Sequence, residues 1–447
     1  MFSKLNTGVA RSASIGVINQ VVASATNFGL AVYLVRKLDA ASFGLWGICF
    51  SVVLLILGLA NGLLLTQMVV GLPKRPPWAR PAYLRSIFLA TVGLGFTVFV
   101  CAALFGILIN AFTSSRTSGL VTDTNQIGLL VLVTGLAAGC VILLHYFLRQ
   151  AFSVNKETTA LLLNLILVIS LAVMLAIHYV TGSAITPTLA MGFYALAHLI
   201  AATAGSLLLP VYRRHFRLGL LIRDIVDTWE QGRWAMAGVW VSWGQSQAYV
   251  YLTPLFFGLA GLGAVNAARM LVAPLIMLLP AVNQVALPRF ANLQVQQPDQ
   301  LSGSGIRACV VLLVCALAYA AIVGFGFDSL SLVLLGEVRA DLFWIAMAWC
   351  LMAGLSLIRQ IATVMMQAAR QFYALFRYEA VVLCVTVGAM TALFKPLGLT
   401  AGVLATALGE CLIAILVWRH FLSLKESERP AGPPKGTPVA SPSQAPN

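Results

Sequence analysis

Five polar residues stand in a stretch that is otherwise apolar: Ser356, Arg359, Gln360, Thr363 and Gln367, within residues 341–367. Their spacing of i, i+3, i+4, i+7 and i+11 puts them on one stripe of an α-helix. A guanidinium among carboxamides and hydroxyls can grip an anion, because its planar fork matches the paired oxygens of a phosphate. Comparable stripes occur elsewhere: Gln20, Ser24 and Asn27 within 12–35, Ser242, Gln245, Ser246 and Tyr249 within 234–257, and Asn266, Arg269, Asn283 and Gln284 within 265–288. Glu410 is the acid placed deepest in an apolar run, between Gly409 and Cys411, and has no basic neighbour within two turns of its own helix.

Each of these groups has two readings. Uncharged polar stripes line a cavity or tie helices together by hydrogen bonds across their interface. A charge at bilayer depth costs about 2.5–3.5 kcal/mol even on the lenient insertion scale, so it must be paired, wetted or functional. Arg359 reads as a cavity cation or as half of an ion pair. Arg269 lies near the end of its run, where its head could instead snorkel to the interface. Glu410 needs Arg359, Arg269, a proton or a metal cation, so it is a candidate for structural pairing or for coupling to protons or sodium.

The elements that would position these residues follow from composition. The chain has 447 residues, 60% apolar and 9% charged, with a mean hydropathy of +0.92. A water-soluble protein carries about 25% charged residues, so a soluble fold is excluded and a polytopic all-α membrane protein is expected. Apolar runs between polar or Pro/Gly breaks predict twelve spans, near 12–35, 43–72, 84–112, 126–148, 158–180, 187–211, 234–257, 265–288, 308–327, 341–367, 378–394 and 400–420. The first run carries Asn19, Gln20 and Asn27 and lacks a small-residue cleavage site, so it is read as a mature helix rather than a signal peptide.

An even number of spans puts both termini on one side. Of the 28 Lys and Arg residues, 21 fall at the termini or in even-numbered turns, and five (Arg36, Lys37, Arg116, Arg339, Lys395) fall in the opposite loops. The positive-inside rule then places both termini in the cytoplasm. Residues 213–233 hold five arginines together with Asp224, Asp227 and Glu230, and divide the spans six and six. The expected domains are an N-terminal lobe (1–212), a basic linker (213–233), a C-terminal lobe (234–425) and a disordered Pro- and Ser-rich tail (426–447). A faint repeat agrees with two lobes: Gly16-Val17 and Ser24 recur as Gly238-Val239 and Ser246. Pro254, Pro274, Pro280 and Pro288 predict bent helices at the start of the second lobe.

No soluble face exists to present a basic patch, so nucleic acid is not an expected partner. All eight cysteines lie in apolar runs without a CxxC pair, and neither disulfides nor a metal site is expected. His145, His178 and His198 are isolated and read as structural.

The segment from Asn19 to Trp46, with L-V-R-K-L at 34–38 and F-G at Phe43-Gly44, resembles the start of the polysaccharide-transporter flippases. These are members of the multidrug/oligosaccharidyl-lipid/polysaccharide exporter superfamily, with an R-x-L then F-G signature there. Phe256–Met270 and the P-R-F at 288–290 are similar to that family's seventh and eighth helices. The resemblance implies two six-helix lobes around a central cavity lined by helices 1, 2, 7 and 8. It also implies alternating access, an undecaprenyl-pyrophosphate-linked oligosaccharide as cargo, and a bacterial inner-membrane location.

The resemblance matches Arg36 and Phe43-Gly44 to the first-loop signature and puts Arg269 on a cavity-lining helix. With the polar stripes, the candidate substrate-binding residues are Arg359, Arg269, Gln360, Thr363, Gln20, Ser24, Asn27 and Gln245, while Glu410 is a structural partner or the ion-coupling group. Membrane lipids, and the polymerase and glycosyltransferases of the same polysaccharide pathway, are the other expected partners. A cation-coupled drug antiporter is the near alternative, but it would want acids in the cavity. A membrane-embedded glycan polymerase or glycosyltransferase would want a large outer loop, whereas the longest here run only over 113–125 and 328–340. A transporter, not an enzyme, is therefore expected.

Overall fold

The computed structural model describes residues 2–114, 124–209, 218–279, 282, 286, 290, 293, 296–368 and 371–427. Every regular element among them is helical: α1 (Phe2–Lys37), α2 (Ala40–Ala60), α3 (Thr66–Gly71), α4 (Arg80–Ser114), α5 (Thr124–Ser153), α6 (Glu157–Thr181) and α7 (Pro187–Leu208) form the first lobe. The second comprises α8 (Leu218–Leu271), α9 (Ala273–Ile276), α10 (Pro298–Phe325), α11 (Phe327–Leu335), α12 (Phe343–Ala368), α13 (Phe372–Leu397) and α14 (Thr400–Ser427). Eleven of these stretches are long and apolar enough to cross a membrane.

The eleventh-against-twelfth difference lies in α8, whose 54 residues span about 80 Å if straight. It is not straight: Gly258, at φ +69 and ψ 178, folds it back on itself. The reversal brings Tyr249 against Asn266 and Arg269, so α8 supplies one whole crossing and the start of the next. The bend expected at Pro254 occurs four residues later, at a backbone angle that only glycine takes without strain. Pro274 opens α9, where a missing N–H costs nothing; Pro280 and Pro288 lie outside the described residues. Residues 218–233, expected within a linker, are helical and run unbroken into the seventh crossing. Arg213, Arg214 and Arg217 of that stretch lie outside the described residues, as does most of the C-terminal tail.

Small residues set the helix spacing, as they do where no water drives helices together. A Cβ on Gly95 would stand 3.3 Å from the Cα of Gly139, so α4 and α5 cross backbone to backbone. The lobes meet mainly along α2 and α8. Here a Cβ on Gly44 would strike the Leu259 carbonyl, and one on Gly62 would lie 3.2 Å from the Met236 nitrogen. Caps fix the helix starts: Asp39 accepts from the N–H groups of Ala41 and Ser42, both at 3.0 Å, and Thr186 caps α7 just before Pro187. The bonds from Ser42 hold the Asp39 carboxyl below its ordinary pKa of 3.8.

Candidate functional site

A cavity of about 270 Å³ lies between the lobes, walled by α1, α2, α8 and α9. Its first-lobe wall is largely aromatic. Phe43, Trp46 and Phe50 recur along α2 and stack in a column, with centroids 5.7 and 5.0 Å apart and planes within 17°; Tyr194 closes the column edge-on to Phe50. The i, i+3, i+7 spacing of these rings aligns them on one helical face. Ser24 and Asn27 of α1 add polar atoms. Asn27 accepts from the Tyr194 hydroxyl at 3.4 Å, and Ser24 accepts from Gln20, one turn away, also at 3.4 Å.

The second-lobe wall is polar and cationic. Arg269 Nη1 donates to the Tyr249 hydroxyl at 3.0 Å, and its guanidinium lies 5.3 Å from the centre of the Trp349 ring. Trp349 is fixed in turn by donating to the Val265 carbonyl at 3.1 Å and by an edge-on contact with Tyr249. Asn266 completes the wall, its amide lying in the space left by Gly47. No carboxylate among the described residues lines this cavity. Among the described residues Arg269 has no ion-pair partner. A guanidinium held by a phenol and an indole keeps its charge for whatever enters.

Arg359 lies elsewhere, inside the second lobe. Its Nε donates to Glu410 Oε2 at 2.5 Å, with the two side chains 16% and 3% exposed. Gln245 donates to the other carboxylate oxygen at 3.3 Å. Gly409 leaves room for this cluster, since a Cβ there would lie 3.0 Å from the Gln245 amide nitrogen and collide with the Thr386 hydroxyl. Glu379 of α13 interacts electrostatically with both Arg359 and Glu410, which makes the cluster two acids and one base. Thr363 is buried one turn further along α12, its hydroxyl without a hydrogen-bond partner among the described residues, and Gln360 is half-buried.

The structure thus divides the residues expected to bind substrate. Ser24, Asn27 and Arg269 line the cavity, with Gln20 bonded behind Ser24. Arg359 and Gln245 join Glu410 in the buried cluster, and Gln360 and Thr363 share α12 with Arg359. Asn283 and Gln284 lie outside the described residues. Sequence reasoning missed the aromatic column, although its helical spacing was visible, and Glu379, which falls in the first turn of an expected span and reads as an edge residue.

No group of histidine, cysteine and acidic side chains that could hold a metal occurs among the described residues. His145 and His198 each bond a carbonyl one turn back on their own helix, at 2.9 and 2.8 Å.

No protein-family model matches the chain, and no curated protein matches it. Solved structures do. An inward-facing multidrug resistance MATE family transporter of the MOP superfamily superposes with a TM-score of 0.68 at 13% identity, covering 93% of this chain and 99% of the other. The lipid II flippase MurJ, in an inward closed conformation, gives 0.69 at 12% identity, covering 93% and 87%. A MOP superfamily transporter from Pyrococcus furiosus, described by a reverse polarity of its binding pocket that suggests a different function, gives 0.65 at 14%, covering 93% and 96%. Two helical lobes, a cavity between them and these superpositions give the chain the fold of the MOP superfamily transporters.

Proposed function

We propose that the protein is a flippase that moves an oligosaccharide linked to undecaprenyl pyrophosphate across the bacterial inner membrane by alternating access. The observation that carries this reading is the polarity of the cavity: among the described residues its walls carry the Arg269 guanidinium and no carboxylate. A pyrophosphate enters such a site favourably because the fork can bond two of its oxygens in a low dielectric. A drug antiporter taking cations would meet an uncompensated like charge there. At about 270 Å³ the cavity is at the small end of ligand sites. It suits a pyrophosphate and its adjoining sugar, with the polyprenyl chain left in lipid. The Arg359–Glu410–Glu379 cluster, away from the cavity, serves as a structural pair or as the place where a proton acts on the cycle. The enzymes that build and polymerise the glycan are the partners this role implies.

Arg269 is the test. Arg269→Ala should abolish export of the glycan and cause the lipid-linked intermediate to accumulate on the cytoplasmic leaflet, with normal yield of folded protein. Arg269→Lys should restore export in part, since a point charge keeps attraction but loses the fork. Full export by the alanine variant would refute the reading.

A further inference from the structure

Two residues that carry the flippase resemblance, Arg36 and Gly44, stand where the lobes meet rather than beside Arg269. Arg36 lies in the last turn of α1 and reaches across to the second lobe, where α11 ends. The last carbonyls of a helix have no donor within it. At this end Gly336, at φ +88, turns the chain away and gives its own N–H to the Leu332 carbonyl. The next two carbonyls are taken by Arg36, whose Nε donates to Leu334 O at 3.2 Å and whose Nη2 donates to Val333 O. A cation at the negative end of a helix also gains from its dipole.

The receiving loop is built to hold its shape. The Ser331 hydroxyl donates to the Glu337 carbonyl at 2.7 Å and accepts from the Arg339 N–H at 3.0 Å. Arg339 in turn forks onto Asp341 at 3.0 and 2.8 Å. Phe327 and Phe343 brace its two ends edge-on at 5.2 Å.

Next to this clasp the first turn of α2 abuts the far limb of α8 without any side chain between them. A Cβ on Gly263 would strike the Ala40 carbonyl, and one on Gly44 would strike the Leu259 carbonyl. Phe43, next to Gly44, and Gly47, one turn on, line the cavity. At the opposite end of the interface Arg75 bonds Asp224 at 2.9 Å and lies 3.8 Å from Asp227. Both ends are joined in this structure, and alternating access requires that each part in turn.

We propose that Arg36, by clasping the carbonyl end of α11, determines closure of the cavity at the end away from the cytoplasm, with the Gly44–Gly263 contact as its seal. This rests on the transporter reading, but its test needs no substrate. With the eight native cysteines replaced, Gln247→Cys places one thiol on the cavity wall, and a membrane-impermeant maleimide is added from outside the cell. Arg36→Ala should raise the labelling rate about tenfold, the shift a lost charge-assisted hydrogen bond gives a two-state equilibrium. Gly44→Val should wedge the seal and raise labelling as well.

If Gly44→Val does not fold, a second pair replaces it. With labelling read at position 247 alone by peptide mass, Arg36→Cys with Gly336→Cys, oxidised, should suppress labelling there below that of Arg36→Ala, and reduction should restore it. Unchanged labelling in folded Arg36→Ala, or a cross-linked pair that labels as fast as the reduced one, overturns the assignment. Neither outcome depends on whether Arg269→Ala still exports glycan, so failure of this closure and failure of the flippase reading remain distinct.

Discussion

Removing one partner of the Arg359–Glu410 pair should destabilise the protein far more than removing both. The pair is short, at 2.5 Å, and the carboxylate side chain is 3% exposed. In Arg359→Ala, Glu410 keeps only the long bond from Gln245 and sits beside Glu379 with no cation between them. Stranding a buried charge in this way costs about 3–5 kcal/mol. Glu410→Gln keeps the shape and accepts a bond from Arg359, but leaves the guanidinium with Glu379 as its one remaining acid, so its cost should be smaller. Arg359→Met with Glu410→Gln should recover most of the loss, because two neutral side chains of similar volume need no compensation. Glu379→Gln placed on Arg359→Ala should also recover stability, since it removes one of two acids that repel each other.

Thermal melting and size-exclusion yield in detergent, read as a double-mutant cycle, measure these effects. Single variants with wild-type stability, or costs that simply add, would refute the pairing argument. Transport then separates the two roles. A structural pair predicts that Glu410→Gln, once folded, keeps its response to an imposed proton or sodium gradient, whereas coupling predicts a stable protein that has lost it.

Reporter fusions at Lys435 and within 113–125 should fall on opposite sides of the membrane, given the bias of Lys and Arg between the two sets of loops; the same side for both would defeat the orientation. Asp39→Ala should cost about 1 kcal/mol at neutral pH through loss of the α2 cap. Because the folded carboxyl titrates below 3.8, that difference should persist above this value and vanish as pH falls through the lower, folded pKa, which melting across an acid series would show. Asn164 donates to Asn19 at 2.8 Å between α6 and α1. Asn164→Leu should cost about 1 kcal/mol in a detergent unfolding assay, and Asn19→Leu should add little to it.

The crossings were legible in sequence because a bilayer imposes long apolar runs with little room for ambiguity. The residues 218–233 were not, since Arg223, Asp224, Asp227, Glu230 and Arg233 resemble a solvated loop. What makes this stretch a packed helix is a distant partner: Asp224 is 4% exposed and bonded to Arg75, about 150 residues earlier in the chain. Depth within a run likewise misleads about roles. Arg359 lies nearer the middle of its run than Arg269, yet depth does not say which way a side chain faces, and the acid that claims Arg359 is on another helix. Arg269 keeps its charge free because its neighbours are Tyr249 and Trp349, one before the Gly258 reversal and one 80 residues beyond Arg269 itself. Such company is set by tertiary packing, which a linear pattern does not record.

The reversal at Gly258 makes a single mechanical piece of two helices. One residue joins the limbs, and Tyr249 is bonded to Asn266 and Arg269 just below it, so no slack loop absorbs a displacement. The long limb runs from Gly258 back to Leu218, about 60 Å, and ends beside the Arg75–Asp224 bridge. That limb is held against the first lobe along its length, where Gly62 meets the Met236 backbone and Gly232 the Leu63 carbonyl. The cavity cation and the Arg75–Asp224 bridge thus stand at two ends of one continuous piece of backbone.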